Sequence, residues 1–294
     1  MSTLKEMVEL LKQKCSAEEM VNSMLKEIKS EEEMSILKVM SFNLRVESPG
    51  DGINRFSLRT ERVLDAIRSE DPDLIGFQET TEVGRVFLRE ALKDEYYLIG
   101  GGSRQHYRKG GAAIAFKRNV FELIALETKW LSPAPDVPGS RYEDSDQSIY
   151  PRHYHLAKLR VNATNKVFYF LNTHPDHMGV NVRALETKQI MEALRPLVSL
   201  PIIMTGDFNA QPNEKSIRQI LEDSSLGMVD VTEQLGGTYH AFGKVNPPLK
   251  VDYIFANMPC VESHSVENIP INGVYISDHD PIVATLKFID KADE

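Results

Sequence analysis

The chain has 294 residues, a length that fits one large domain or two small ones. Hydrophobic residues make up 41% and charged residues 26%, a globular balance that excludes a wholly disordered or fibrous chain. No apolar window is long enough for a membrane span or a secretory signal, so we expect a cytoplasmic protein. Cys15 and Cys260 are too few for a disulfide framework or a cysteine zinc site.

The charge balance narrows the classes of partner. There are 34 basic and 43 acidic side chains, which gives a net charge of −9. A general nucleic-acid binder needs a basic surface that neutralises several phosphates, so this balance argues against that class. It favours a small substrate or a metal-dependent site, in which carboxylates cluster.

Residues 1–34 form the first predicted segment, and their apolar side chains recur at helical spacing in two runs. Ser16 followed by Glu19 matches a capping box, which predicts that a second helix starts near Ala17. We therefore expect an N-terminal extension of two short amphipathic helices. These helices either pack on the main domain or mediate self-association or partner binding, and the sequence leaves both open.

Residues 35–294 read as the main domain, because short apolar runs alternate there with helices and turns. Many strands with few helices favour an α/β fold of two sheets over a doubly wound parallel sheet. The predicted strands cover residues 36–44, 73–79, 96–100, 112–117, 155–161, 166–174, 202–208, 251–256 and 282–288. The predicted helices cover residues 58–70, 83–92, 181–197 and 214–223. The proline-rich, acidic stretch 131–152 predicts a long surface loop, which is often functional.

Polar and ionisable side chains gather next to the predicted strands, where a scaffold presents a site. Carboxylate and amide oxygens suit Mg²⁺ or Mn²⁺, and imidazole stabilises a phosphate or carries a proton. Each residue alone has a structural explanation, such as an Asx turn, a cap or an ion pair. Their joint occurrence indicates a catalytic site, whose candidates are Asn43, Glu79, His174, Asp176, His177, Asp207, Asn209, Asp252, Asp278 and His279.

The chain resembles the endonuclease/exonuclease/phosphatase superfamily, and within it a bacterial-type subgroup of metal-dependent hydrolases. The resemblance rests on the ordered motifs SFNLR, IGFQET, LNTHPDH, MTGDFNAQPNE, KVDYIFA and ISDHDPIVA, and it covers residues 36 to about 289. It implies a four-layer α/β sandwich of two mixed β-sheets flanked by helices. It also implies a bound Mg²⁺ or Mn²⁺ ion, with Glu79 as the principal ligand and Asn43 and Asp278 contributing to the metal site.

The resemblance also implies the catalytic roles. Asp207 would activate or orient the attacking water, and Asn209 would hydrogen-bond the scissile phosphate. His279 would face the phosphate with its ring oriented by Asp252. His174 would donate a hydrogen bond to a non-bridging phosphate oxygen.

The sequence identifies residues that contact the substrate less clearly than it identifies the catalytic residues. Arg152 and His153 precede a predicted strand, and an arginine fork suits phosphate oxygens. Arg108 lies in a basic loop that is explained equally well as a solvated surface loop. His240 and Asp176 are the remaining candidates for substrate binding.

Together these features predict a divalent-metal-dependent phosphoester hydrolase that uses a water activated by the metal and Asp207. A small phosphorylated substrate is favoured, such as a sugar phosphate or a phosphodiester. An endo- or exonuclease acting on DNA or RNA is the alternative. A catalytically inactive binding module of the same fold is the second alternative, which the complete set of catalytic residue types disfavours.

Overall fold

The computed structural model describes residues 35–100 and 110–288. The predicted helices of residues 1–34 and the candidate Arg108 lie outside the described residues. The extension and its part in self-association therefore stay predictions.

Within the described residues the strands form two mixed six-stranded sheets. The strands are β1 (Ile36–Asn43), β2 (Leu74–Thr80), β3 (Tyr96–Ile99), β4 (Gly111–Lys117), β5 (Phe121–Trp130), β6 (His153–Val161), β7 (Val167–Thr173), β8 (Ile202–Asp207), β9 (Val229–Asp230), β10 (Asp252–Ala256), β11 (Cys260–Ser265) and β12 (Ile282–Lys287). The first sheet has the order β11-β12-β1-β2-β4-β3, and the second has the order β5-β6-β7-β8-β10-β9. Parallel pairing joins β1 to β2 and β7 to β8.

Each of the four helices predicted for the main domain is present, with its bounds shifted by three residues or fewer. The helices are α1 (Thr60–Glu70), α2 (Glu82–Ala91), α3 (Val180–Leu194) and α4 (Lys215–Glu222), and short 3₁₀ segments cover Pro49–Asn54, Phe56–Leu58 and Arg195–Leu197. The Thr81 side chain accepts a hydrogen bond from the Gly84 backbone and so caps α2. No helix in the described ranges is long and apolar enough to cross a membrane.

Three strands, β5, β9 and β11, are absent from the sequence-based prediction, and each lies at the edge of a sheet. Edge strands have one exposed side, and most side chains of β5 and β11 are exposed or only half-buried. The two-residue β9 and the largely polar β11 lack the apolar runs that identified the central strands, whereas β5 has a short apolar run at residues 123–126 that was not selected. The stretch 131–152 has no regular secondary structure, as predicted.

Alternating side chains of the central strands divide the apolar residues into three cores. In β1, Val39 belongs to the core between the sheets, whereas Met40 packs with residues of α1 and α2. In β8, Ile203 belongs to the core between the sheets, whereas Met204 packs with residues of α3 and α4. The layers are therefore helix, sheet, sheet and helix, which confirms the predicted sandwich.

A buried polar cluster connects the two sheets through Asn172 of β7. Its Oδ1 accepts hydrogen bonds from Gln78 Nε2 at 2.8 Å and Thr205 Oγ1 at 3.1 Å. Its Nδ2 donates to the backbone oxygens of Phe77 and Ala113, both at 2.8 Å. Asn172 is fully buried, and all its hydrogen-bonding capacity is used within the protein.

This cluster also determines where the predicted site lies. Side chains two residues apart on a strand point to the same side of the sheet. Asn172 and Thr205 lie two residues before His174 and Asp207, respectively. The residues that join the sheets are therefore continued, at the strand ends, by the residues of the site.

We expect Asn172→Ala to lower the free energy of unfolding by about 3 kcal/mol, because it leaves several buried polar groups without partners. Urea titration followed by circular dichroism measures the change. The exposed Asn213 provides a matched control, and Asn213→Ala should change stability by no more than about 0.5 kcal/mol. Equal effects of the two substitutions would contradict the role of Asn172.

Candidate active site

Most of the predicted site residues converge on one cavity of about 770 Å³. The residues that line it include Glu79, Arg152, His174, Asp207, Asn209, Asp278 and His279. Asn43, Asp252 and Asp176 are buried next to these residues and contact them. Residues from both sheets and from the 131–152 loop thus meet at one place.

Asp207, at the end of β8, is the centre of the hydrogen-bonding network. Its Oδ2 accepts a hydrogen bond from Asn43 Nδ2 at 2.9 Å, and its Oδ1 accepts one from the Asn209 backbone at 2.9 Å. His174 Nε2 lies 3.4 Å from Oδ2, and His279 Nε2 lies 3.8 Å from the same oxygen. The Asn43 contact joins the first sheet to the second.

The His279 ring is fixed by contacts on one edge and one face. Its Nδ1 lies 2.8 Å from Asp252 Oδ2, which also accepts a hydrogen bond from Thr238 Oγ1 at 2.6 Å. The Tyr239 ring lies 4.9 Å from the imidazole, centre to centre. The Asp252 contact requires a hydrogen on Nδ1, so the carboxylate determines the orientation of the ring.

Burial and charge shift the pKa values of this cluster in different directions. Burial and the Asp252 carboxylate raise the pKa of Asp207 to about 7, against the opposing effect of His279. Burial alone would lower the pKa of His279, but the Asp252 and Asp207 carboxylates raise it well above its usual value. Burial, together with the positive charge of Arg152, lowers the pKa of His174 well below its usual value. The site therefore combines a protonated and a neutral imidazole.

Two groups of side chains at the cavity suit a divalent cation. The first group consists of the carboxylates of Glu79 and Asp278. Glu79 Oε2 accepts a hydrogen bond from the Val46 backbone at 2.9 Å, while Oε1 has only a long contact, 3.4 Å, with Asn43 Nδ2. Asp278 Oδ2 lies 3.7 Å from Arg45 Nε. These carboxylates keep free lone pairs at the cavity wall, and such oxygen donors fit Mg²⁺ or Mn²⁺.

The second group consists of Asp207, Asp252 and His279, whose ligand atoms lie within 4.8 Å of one another. Among the described residues, Asp252 Oδ1 is buried and has no hydrogen-bond partner. Asp252 Oδ2 is already engaged by His279 and Thr238. The first group therefore has more oxygen atoms free to bind a cation than the second.

The backbone at Glu79 is strained. Its φ angle is 55°, in the left-handed region, and the pairing of β2 with β4 shifts register between Phe77 and Thr80. A non-glycine residue there costs roughly 1–2 kcal/mol, a strain that functional sites often hold. Gly110 makes this conformation possible, because a Cβ on Gly110 would lie 2.9 Å from Glu79 Cα.

Arg152 lines the cavity and is supported from behind. Its Nη2 lies 3.0 Å from His177 Nδ1, and its Nε lies 3.8 Å from Asp176 Oδ2. Asp176 Oδ1 accepts backbone hydrogen bonds from Met178 and Gly179, both at 2.9 Å. Asp176 is fully buried, so it is a support for Arg152 and not itself part of the cavity wall.

Besides Asp176, two further predicted substrate contacts, His153 and His240, do not line this cavity, which differs from the expectation from sequence. His153 packs between Trp130, 5.0 Å away, and His155, 4.8 Å away, centre to centre. Neighbouring strand residues point to opposite sides, so His153 turns away where Arg152 faces the cavity. His240 lines a separate cavity of about 450 Å³, with its Nε2 3.2 Å from Asp280 Oδ1.

Three residues of this region were not selected from sequence, namely Arg45, Arg141 and Glu186. Arg45 follows Asn43 by two residues, a spacing that places strand side chains on one face and was a usable signal. Glu186 lies four residues from both Val182 and Ile190, on the apolar stripe of α3, which indicates burial. No sequence signal distinguishes Arg141 from the other charged residues of its loop.

Glu186 joins α3 to the loops around the cavity. It is fully buried, with Oε2 accepting a hydrogen bond from the Asp176 backbone at 2.8 Å and Oε1 accepting one from Gln147 Nε2 at 3.3 Å. Burial raises the pKa of Glu186 to about 8. The carboxyl group is therefore neutral in the folded protein at neutral pH.

The same fold is found in solved structures of other proteins. The chain belongs to the endonuclease/exonuclease/phosphatase family, whose model matches residues 40–279. It is 24% identical over 272 residues to an uncharacterized protein of Acanthamoeba polyphaga mimivirus, and the match covers 84% of this chain and 98% of that protein.

Two solved structures from Bacteroides have the same fold and are 26% identical to this chain. One is an endonuclease/exonuclease/phosphatase from Bacteroides vulgatus, with a TM-score of 0.79 over 86% of this chain and 99% of that chain. The other is a mannosyl-6-phosphatase from Bacteroides thetaiotaomicron, with a TM-score of 0.73 over 86% of this chain and 100% of that chain. Family members are phosphoesterases or nucleases.

We expect Glu186→Gln to raise the melting temperature at about pH 8 and to have little effect near pH 5. The unfolded carboxyl group ionises near its ordinary pKa of 4.5, whereas the folded one keeps its proton to about pH 8. Wild-type stability therefore falls as the pH rises through this window, and the variant avoids the loss.

Differential scanning fluorimetry at both pH values measures the effect, and each 1 kcal/mol corresponds to about 2–4 °C. A lower melting temperature of the variant at both pH values would contradict a neutral Glu186. It would indicate instead an ionised carboxylate that is stabilised by the neighbouring arginines.

Proposed function

We propose that this chain is a divalent-metal-dependent phosphoester hydrolase that acts on a small phosphorylated substrate, such as a sugar phosphate or a phosphodiester. One observation carries the proposal. A buried carboxylate, Asp207, lies beside an oriented imidazole and in the same cavity as the oxygen donors Glu79 and Asp278. Phosphoester hydrolysis needs an attacking water, a proton acceptor and positive charge on the phosphate oxygens, and these groups supply them.

The residues of the second sheet act on the water and the phosphate. Asp207 orients the attacking water and accepts its proton, while Asn43 holds the carboxylate in place. Asn209 Nδ2 donates one hydrogen to Pro175 O at 3.1 Å and keeps the other for a phosphate oxygen. The neutral His174 donates through Nε2 to a non-bridging oxygen.

His279 supplies the fixed positive charge. Asp252 holds its Nδ1, so the protonated Nε2 is directed to the phosphate. Glu79 is the principal metal ligand in this proposal, with Asn43 and Asp278 contributing. A Mg²⁺ or Mn²⁺ ion bound there would supply further positive charge to the phosphate oxygens.

Three observations favour a small substrate over a nucleic acid. The cavity of about 770 Å³ lies in the usual range for small-molecule sites. The net charge of −9 disfavours a polyanion. A structure 26% identical to this chain is a mannosyl-6-phosphatase.

Arg152 is proposed to bind the phosphate, and Tyr150 and Tyr239 offer ring faces for the leaving group.

Turnover on a phosphoester panel with Mg²⁺ or Mn²⁺ tests the proposal. The panel contains sugar phosphates, nucleotides, a bis-aryl phosphodiester, and labelled DNA and RNA. We expect hydrolysis of a small ester that Asp207→Asn lowers by about 10²- to 10⁴-fold, the usual contribution of a general base. Asp65→Asn, at an exposed position of α1, is the matched control and should keep the wild-type rate.

Other results of this panel would overturn the proposal. Cleavage of labelled DNA or RNA, with the small esters untouched, would identify a nuclease. Absence of hydrolysis on every substrate would indicate an inactive binding module.

The position of Glu79 is testable through Gly110. In Gly110→Ala the new Cβ collides with the Glu79 backbone, and we expect the metal-dependent rate to fall by about 100-fold. Gly227→Ala is the control, because Gly227 also has a positive φ of 60° but no atom within 4 Å of a Cβ. Gly227→Ala should lose about 1 kcal/mol of stability, and Gly110→Ala should lose more because its Cβ also collides with Glu79. Equal rates in the two variants would argue against a role for Glu79.

A further inference from the structure

Arg141 differs from the other arginines that line the active-site cavity. Arg45 is held by Asp51 at 2.9 Å, and Arg152 by its contacts with His177 and Asp176. Arg141 also lines the cavity, and its guanidinium forms no hydrogen bond or ion pair with any described residue. A half-buried cation without a partner at this position needs an explanation.

The backbone on both sides of Arg141 is held in place. Before it, Ser140 Oγ lies 2.6 Å from Ser132 Oγ. After it, the Tyr142 backbone donates to Gln147 Oε1 at 2.6 Å, and the Tyr142 hydroxyl donates to Gln189 Oε1 at 3.2 Å. A loosely held loop therefore does not account for the unpaired guanidinium, because its attachment point is fixed.

Acidic side chains of the same loop are close in sequence but do not pair with Arg141. Asp136 forms an ion pair with Lys129 at 2.6 Å, and Asp146 accepts backbone hydrogen bonds at the start of α3. Glu143 and Asp144 are exposed to solvent. The loop thus carries several carboxylates, yet it presents an unneutralised cation to the cavity.

We infer that Arg141 binds a second anionic group of the substrate, a phosphate or a carboxylate, in addition to the group that is hydrolysed. An arginine fork forms paired, charge-assisted hydrogen bonds with either anion. This inference rests on the proposed function, and it restricts the proposed small phosphorylated substrates to those with a second anionic group. Preferred substrates are small molecules with two anionic groups, and esters of a similar skeleton whose only anionic group is the phosphate to be hydrolysed are poorer.

Matched substrate pairs test the inference. Glucose 1,6-bisphosphate against glucose 6-phosphate tests a second phosphate, and 6-phosphogluconate against sorbitol 6-phosphate, which is likewise an open chain, tests a carboxylate. We expect kcat/KM of the wild type to be about 10- to 100-fold higher for at least one doubly anionic partner, the usual value of a charged hydrogen bond. Arg141→Gln should bring that ratio close to one.

Arg218→Gln, at an exposed position of α4, removes the same charge outside the cavity and should keep the wild-type ratio. A wild-type ratio near one for both pairs would overturn the inference. So would a high ratio that Arg141→Gln leaves unchanged.

Binding separates this inference from the proposed hydrolysis. Isothermal titration of Asp207→Asn protein, with and without Arg141→Gln, measures the affinity for glucose 1,6-bisphosphate and glucose 6-phosphate in the presence of Mg²⁺. A preference for the bisphosphate that is lost with Arg141 supports the inference even if no ester is hydrolysed. Hydrolysis of small esters without any such preference would overturn the inference and leave the proposed function intact.

Discussion

The contact between the two sheets is the constraint on which the site depends. Apolar side chains fill most of the space between the sheets, and apolar packing alone does not specify a single relative position. The four hydrogen bonds of Asn172 do, because each requires a partner at a defined place on the opposite or neighbouring strand. The 2.9 Å contact between Asn43 and Asp207, which come from different sheets, relies on this alignment.

Several acidic groups lie close together in the cavity, and their mutual repulsion and burial lower the stability of the folded chain. Neighbouring groups reduce this cost. Burial raises the pKa values of Asp207 and Asp278, so the folded chain resists complete ionisation of the cluster. His279 offsets part of the repulsion, and a divalent cation would offset more. The strained backbone of Glu79 is a further cost. Such features are kept at functional sites because the rest of the fold is stable enough to hold them.

The 131–152 loop gives the cavity its particular chemistry. It is attached to α3 and the neighbouring turn through Asp146, Gln147 and Ser148, whose side chains contact Val182, Glu186 and Asp176, respectively. These contacts hold the loop in place, and with it Arg141 and Tyr150 of the cavity wall.

The sequence by itself predicted the central strands, the four helices of the main domain, the family, and motif residues such as Asn43, Asp207 and His279. Short patterns of neighbouring residues are enough to identify each of these features. Three of the four edge strands were missed, because β9 has only two residues, the exposed β11 lacks the apolar pattern that predicts a strand, and β5 has only a short apolar run. Only the tertiary structure turned His153 away from the cavity. It alone placed Arg141 in the cavity wall and Glu186 against Asp176, because such contacts join residues far apart in the chain and depend on how the loops pack.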